Sequence, residues 1–236
     1  MNKRDVCKVG FICPMDCELD AVTRLFEGKR TTRYAGMDFY EGTIAGRACI
    51  AVKCGVGKVF AAMAAEALLL GFSPSLVINT GVAGNLSETL SVGDVVVSSA
   101  VVQHDMDTSP LGDPVGLISG LNKVFLESDA DAARLMCEVL SSLGIRHEVG
   151  VVASGDQFVA TAEKRAYIRT AFGASCCEME GAAVGQVCYA SGVPFLVLRA
   201  LSDDANGASP DDFPAYCVKV SETSSRAIRA FMEALG

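Results

Sequence analysis

Residues 193–204, VPFLVLRALSDD, constrain the fold more than any other stretch of the chain. Val193 to Leu198 is apolar throughout and reads as a strand buried in a sheet. Arg199, Ser202, Asp203 and Asp204 then close the run. In an open α/β sheet the carboxyl end of a strand is where ligands bind, and functional sites keep charges that a purely structural strand excludes. The stretch asks for an α/β architecture and marks its own end as a candidate site.

The rest of the chain alternates in the same sense. Residues 8–13 read as a strand, and 18–26 as a helix with Leu19, Val22, Leu25 and Phe26 on its apolar side. Residues 31–44 and 47–54 read as antiparallel strands with turns near Gly36 and Gly46. An Ala/Leu-rich helix over 57–71 precedes a strand over 75–80 and a glycine-rich turn at 81–84. Further strands are expected at 93–102, 147–154 and 174–177, and helices at 129–143, 162–172, 179–191 and 211–235. Mixed strand pairs followed by βα alternation predict an α/β fold, a three-layer α/β/α sandwich with a central mixed β-sheet, in one domain over residues 1–236. Residues 106–123, with Pro110 and Pro114, are the least regular segment, and so long a loop in a compact domain is usually functional or interfacial.

Composition narrows the partners. Half of the residues are hydrophobic (50%) and mean hydropathy is +0.35, enough for a sizeable core. No apolar run reaches the length of a membrane span, 61–72 being too short, and MNKRDVCKVG lacks the apolar core of a secretory signal. A net charge of −8 repels phosphate backbones, so neither nucleic acid nor an anionic membrane is expected as a partner. The ten cysteines lie mostly inside apolar runs. Cys13 and Cys17 are spaced like half of a zinc site, but the only histidines are His104 and His147 and no second pair matches. They read instead as buried reduced thiols, which implies a reducing, cytoplasmic setting.

Several short motifs sit at strand ends. Gly55-Val56-Gly57-Lys58 is not a Walker A loop, because Val59 stands where Mg²⁺ needs a hydroxyl. Nor is it a dinucleotide fingerprint, since Phe60 replaces the third glycine and no acid follows at the required distance. It reads as a tight strand-to-helix turn whose helix N-terminus could face a polar ligand atom. Gly81-Val82-Ala83-Gly84 allows close backbone approach to a ligand, though a plain turn explains it equally well. Phe158, after Ser154-Gly155-Asp156-Gln157, either stacks on an aromatic base or joins the core. Glu178 and Glu180 flank Met179 at the start of an apolar helix. The helix dipole accounts for one of them. A second carboxylate among such small apolar neighbours needs donors, and ribose hydroxyls would serve. Met15-Asp16-Cys17-Glu18 read alone is a helix N-terminal turn.

Taken in order, VGFICPMDCEL, CGVGKV, NTGVAGNL, VGDVVVS, QHDMD, SGDQF, CEMEGAAVGQVC and VPFLVLRALSDDA span nearly the whole chain. Together they resemble the 5′-methylthioadenosine/S-adenosylhomocysteine nucleosidases of the nucleoside phosphorylase/hydrolase superfamily. The resemblance implies a nucleoside phosphorylase-like fold and hydrolysis of an N-glycosidic bond, releasing adenine and a thioribose. Candidate substrates are 5′-methylthioadenosine, S-adenosylhomocysteine and 5′-deoxyadenosine, with a deoxyfutalosine-type nucleoside as an alternative. It further implies that Asp203, in a mostly apolar pocket, protonates the leaving base at N7, with Ser202 orienting it. Glu18 activates the attacking water and Arg199 helps hold it. Glu180 binds the ribose hydroxyls and Met179 packs against the sugar. Phe158 and Phe213 surround the base, and the backbone of Val159 meets its edge. No metal or redox cofactor is required, and a homodimer would bury residues 106–123.

Two positions depart from the family pattern. Val82 stands where many members carry Ser, and Leu111 stands where an aromatic residue often caps the neighbouring subunit's pocket. Two rivals differ in chemistry. A phosphorylase needs cations or hydroxyls where phosphate attacks, whereas Glu18 there would repel it. A non-catalytic nucleoside-binding protein need not retain Glu18, Glu180, Arg199 and Asp203 together.

Overall fold

β1 (Lys8–Cys13), β5 (Leu76–Asn85) and β10 (Phe195–Leu201) are buried on successive residues, as strands covered by helices on both faces must be. In the computed structural model, which describes residues 6–203 and 213–235 and no side chain of 213–216, these three strands run parallel, with β5 in the middle. β4 (Arg47–Lys53) extends the sheet parallel to β1, and β3 (Met37–Ile44) and β2 (Glu27–Tyr34) add an antiparallel meander at that edge. Beyond β10 come β6 (Val95–Gln103), with the short β7 (Leu126–Glu127) beside it, then β8 (His147–Ser154) and β9 (Ala174–Glu178). β9 returns to pair with β5. The sheet is mixed, as the sequence predicts, and its β5, β10, β6, β8 and β9 close into a ring.

Helices cover both faces. On one, α1 (Asp16–Thr23), α3 (Ala130–Ser142) and α6 (Phe213–Ala234) bury Leu19, Val22, Met136, Leu140, Ile228 and Phe231 against Phe11 and Leu198. On the other, α2 (Lys58–Phe72) and α5 (Gly181–Ala190) meet through small residues, Ala61, Ala64, Ala65, Ala182 and Ala183, which let the two backbones lie close. α4 (Ala162–Phe172) seats Ile168 and Phe172 against Ala153 and Ala174 of β8 and β9. Asp129 and Thr161 accept the backbone N–H three residues on, capping α3 and α4.

Several expected boundaries move. The turn expected near Gly36 divides 31–44 into two strands, because Ala35 and Gly36 take positive φ (48° and 80°) and turn the chain as a tight hairpin, and the first strand begins earlier, at Glu27. The turn expected at 81–84 is strand: β10 pairs Gly81 to Ala83 on one side, and β9 takes Gly84 and Asn85 on the other. The first helix spans 16–23 rather than 18–26. The fifth begins at Gly181 rather than 179. Asp211 and Asp212, the expected start of the last helix, lie outside the described residues. Residues 106–123 contain only one 3₁₀ turn, Ser109–Leu111, and an isolated bridge from Ile118 to Lys123. Among the described residues no helix is long and apolar enough to cross a membrane. All ten cysteines are free, and seven are buried.

Candidate active site

A cavity of about 200 Å³ opens at the carboxyl ends of β1, β5, β9 and β10, with Val82 to Gly84 forming part of its wall. Glu18 enters it from the first turn of α1. One carboxylate oxygen accepts the Met15 N–H (2.8 Å) and the other the Val82 N–H (3.0 Å). The first bond is the reach-back of an N3 acid to its helix start. Burial pushes the Glu18 carboxyl above its usual range, against the pull of Arg199.

Arg199 is 1% exposed, the largest fully buried side chain among the described residues. Its guanidinium donates to Asn79 Oδ1 and to the Val82 carbonyl (3.2 Å). It also pairs with Glu178 and lies 3.5 Å from Glu180 Oε2. Burial alone would lower its pKa, but Glu178, Glu180 and Glu18 together raise it. Room for this group comes from Gly81, where a Cβ would stand 2.7 Å from both Arg199 Nη1 and Glu18 Oε1.

Glu178 and Glu180 divide their work. Glu178 accepts the N–H groups of Glu180 (3.1 Å) and Gly181 (2.8 Å) at the start of α5, and the Ser154 hydroxyl on its other oxygen. Glu180 accepts the Gly57 N–H at 2.9 Å. Burial and then the neighbouring Glu178 push its carboxyl up to about 7. Two donors of the Gly55–Lys58 turn, the N–H groups of Gly57 and Lys58, thus have partners within the protein. The Lys58 N–H goes to Asp156 (2.8 Å), and its ammonium pairs with Asp105 (2.7 Å).

Asp203 lies elsewhere in the cavity, just past β10. Its Oδ1 accepts the Asn85 N–H at 2.7 Å, and its Oδ2 pairs with Arg165 Nη2 at 2.6 Å, both side chains being buried. The cavity lining is mostly apolar, as expected from the sequence, but beside Asp203 a guanidinium from α4 faces the carboxylate. Ser202 bonds to the Ala83 carbonyl through both its N–H (2.9 Å) and its hydroxyl (3.2 Å), which fixes the strand end on which Asp203 sits.

Met179 and Val82 line the cavity, as do buried Val159 and Phe158, the latter 74% exposed. Phe213 begins α6, and its side chain lies outside the described residues. The structure thus brings nine of the ten expected side chains to one cavity. It adds Glu178 and Arg165, which sequence reasoning had not assigned to the site. Both left a signal. Glu178 ends a strand with a charge, as Arg199 to Asp203 do. Arg165, Ile168 and Phe172 share the buried face of α4, so an arginine occupies an apolar-stripe position.

Four buried carboxylates (Glu18, Glu178, Glu180, Asp203) face two buried guanidiniums (Arg165, Arg199) in this space. Such a set can exchange protons and bind hydroxyls, and its excess negative charge opposes a phosphate.

The phosphorylase superfamily model matches residues 8–233. A 5′-methylthioadenosine/S-adenosylhomocysteine nucleosidase of Shewanella halifaxensis is 36% identical over 97% of this chain and 100% of its own. Among solved structures, the futalosine hydrolase of Helicobacter pylori superposes with a TM-score of 0.91 at 33% identity, covering 97% of this chain and 98% of that one. A mutant of the Helicobacter pylori nucleosidase with 5′-methylthioadenosine in its active site gives 0.91 at 31% identity, covering 96% and 98%.

Proposed function

Since the chain belongs to the phosphorylase superfamily and, within it, to the 5′-methylthioadenosine/S-adenosylhomocysteine nucleosidases, we propose that it hydrolyses the N-glycosidic bond of those two nucleosides through Asp203 and Glu18. Adenine is a poor leaving group as an anion, so the electron pair of the breaking C1′–N9 bond is accepted as Asp203 delivers a proton to N7. The ribosyl carbon becomes oxocarbenium-like, and water adds to C1′ while Glu18 takes its proton. Glycoside cleavage in general uses two carboxyl groups in this way, and each proton transfer contributes roughly 10²–10⁴-fold. Glu180 accepts the ribose hydroxyls, and Met179, Phe158, Val159, Phe213 and Ser202 hold sugar, base and acid. Arg199 keeps the crowded carboxylates of the water side in place.

The observation that carries this reading is the charge inventory of the cavity: acids outnumber guanidiniums, and Arg199 is already engaged by Glu178 and Glu180. A phosphate nucleophile would find no free cation among the described residues that line it, whereas neutral water is admitted. A futalosine-type substrate is the second reading, favoured by the likeness to the futalosine hydrolase. Val82 in place of a serine removes a hydroxyl near the water, and Leu111, 83% exposed on the irregular segment, replaces the aromatic residue that often caps the neighbouring subunit's pocket.

A homodimer in the cytoplasm belongs to the same proposal. Its support is the apolar face of α2, where Val59, Phe60 and Met63 are 70%, 57% and 52% exposed, a patch suited to a second copy. The free, mostly buried cysteines suit a reducing compartment.

Incubation of the purified protein with methylthioadenosine, S-adenosylhomocysteine and a futalosine-type nucleoside, with and without phosphate, tests the reaction by mass spectrometry. Free adenine with an unphosphorylated sugar is expected, and a sugar phosphate would overturn it. Asp203→Asn is expected to lower kcat by roughly 10³-fold while nucleoside binding persists.

A further inference from the structure

Arg165 has no part in the roles above, yet it is buried beside the acid they assign. It lies on the first turns of α4, whose cap, Thr161, follows two residues after Val159. Its Nη2 is 2.6 Å from Asp203 Oδ2, and its Nη1 donates to the Asn85 carbonyl at 3.3 Å. The N–H of that same Asn85 donates to the other oxygen of Asp203 at 2.7 Å. Arg165, Asp203 and Asn85 therefore form a closed cycle of three contacts. Both oxygens of the acid are held, and the peptide that holds one of them is itself held by the arginine.

We infer that Arg165 is a positioning residue for the reaction: one guanidinium locks the carboxylate plane of Asp203 and ties it to α4 and to the Phe158–Thr161 segment that precedes it. This rests on the reading of Asp203 as the acid. A planar guanidinium suits the task because it can donate to two acceptors at once in fixed directions, which an ammonium cannot do. Without the clamp the carboxyl group would rotate about its side-chain bonds. Proton delivery to N7 would then be misaligned, while contacts to the sugar would persist. An interaction that matters only as the bond breaks appears in kcat and not in KM.

The test compares Arg165→Met, Arg165→Lys, Asp203→Asn and the double variant Arg165→Met/Asp203→Asn, with methylthioadenosine as substrate and adenine as a binding probe. Arg165→Met is expected to lower kcat by about 30- to 100-fold with KM within about threefold, as loss of transition-state alignment does. Arg165→Lys should recover part of that loss. In the Asp203→Asn background, removing Arg165 should cost nothing further, because residues acting as one unit are not additive. A wild-type kcat in Arg165→Met, or losses that multiply in the double variant, would overturn the proposal. Where Arg165→Met does not fold, Arg165→Lys decides: a reduced kcat at unchanged KM supports the clamp and an unchanged kcat refutes it. Full turnover in Asp203→Asn would instead sink the acid assignment, and the clamp with it.

Discussion

The two neighbourhoods of buried acid in this pocket are built on opposite charge balances. Beside Gly84, among the described residues, the Asp203 carboxylate meets the Arg165 guanidinium and one backbone N–H. Beside Gly81, three carboxylates, Glu18, Glu178 and Glu180, crowd about Arg199 alone. Burial is equally deep in both, so burial by itself does not distinguish them. The difference is compensation. At the crowded end burial pushes the Glu18 carboxyl upward, and burial followed by the neighbouring Glu178 pushes Glu180 to about 7. One end of the pocket therefore holds one carboxylate between a guanidinium and a backbone N–H, and the other gathers three carboxylates about one guanidinium.

The most severe way to break this contrast is Arg199→Met, which leaves three buried carboxylates with no guanidinium. Removing one partner of a buried charge network costs about 3–5 kcal/mol, so urea unfolding at pH 7 should show a loss of that size, together with lost turnover. An unaltered unfolding midpoint would mean that the three acids are satisfied without it.

A subtler probe is the pH dependence of stability. The Glu180 carboxyl is raised from 4.5 to about 7 in the folded protein. Between those values the native state binds more protons than the unfolded chain, so stability falls as pH rises. This contribution is fully present below about pH 4.5 and gone above about pH 7, and its size is at most about 3 kcal/mol. Glu180→Gln should flatten the unfolding free energy across that window. An equal slope in wild type and variant would remove Glu180 as its source.

The smallest effect uses the glycines of β5 as gauges. A Cβ at Gly81 would meet Arg199 and Glu18 at 2.7 Å, whereas one at Gly84 would meet Cys177 Sγ at 3.2 Å and Asp203 Oδ1 at 3.5 Å. Overpacking a tight site costs about 1–3 kcal/mol, so Gly81→Ala should fall in that range by chemical denaturation. Gly84→Ala should cost less, under about 1 kcal/mol. Equal costs would show that the crowded end can relax as readily as the balanced one.

Much of this architecture could be read before any coordinates. Strand runs such as 8–13 and 147–154, and the helix 162–172, agree with the structure residue for residue, because apolar periodicity and capping residues act over a few positions. The residues that meet in the cavity were legible as charges at strand ends and helix starts. Arg165 showed only its place on the apolar stripe of α4; its pairing with Asp203, 38 positions away, has no local period to reveal it. Its neighbours Glu163, Lys164 and Arg169 made α4 look like an ordinary charged surface helix. Glu178 was seen but left without a role, since a helix-start acid explains itself locally and its pairing with Arg199 does not.

By itself the sequence determined the α/β alternation, the strand end at Arg199 to Asp203 and most of the acids that meet in the cavity. Those features follow from the backbone's local preferences and from the rule that charges are not placed idly beside apolar strands. Tertiary structure alone decided that Gly81 to Asn85 is strand and not turn, since β9 and β10 supply the partners its backbone groups require. It also decided which guanidinium serves which carboxylate. The energy of a buried charge depends on what surrounds it in three dimensions, and only the closed ring of strands and the packing of α4 bring those partners within reach.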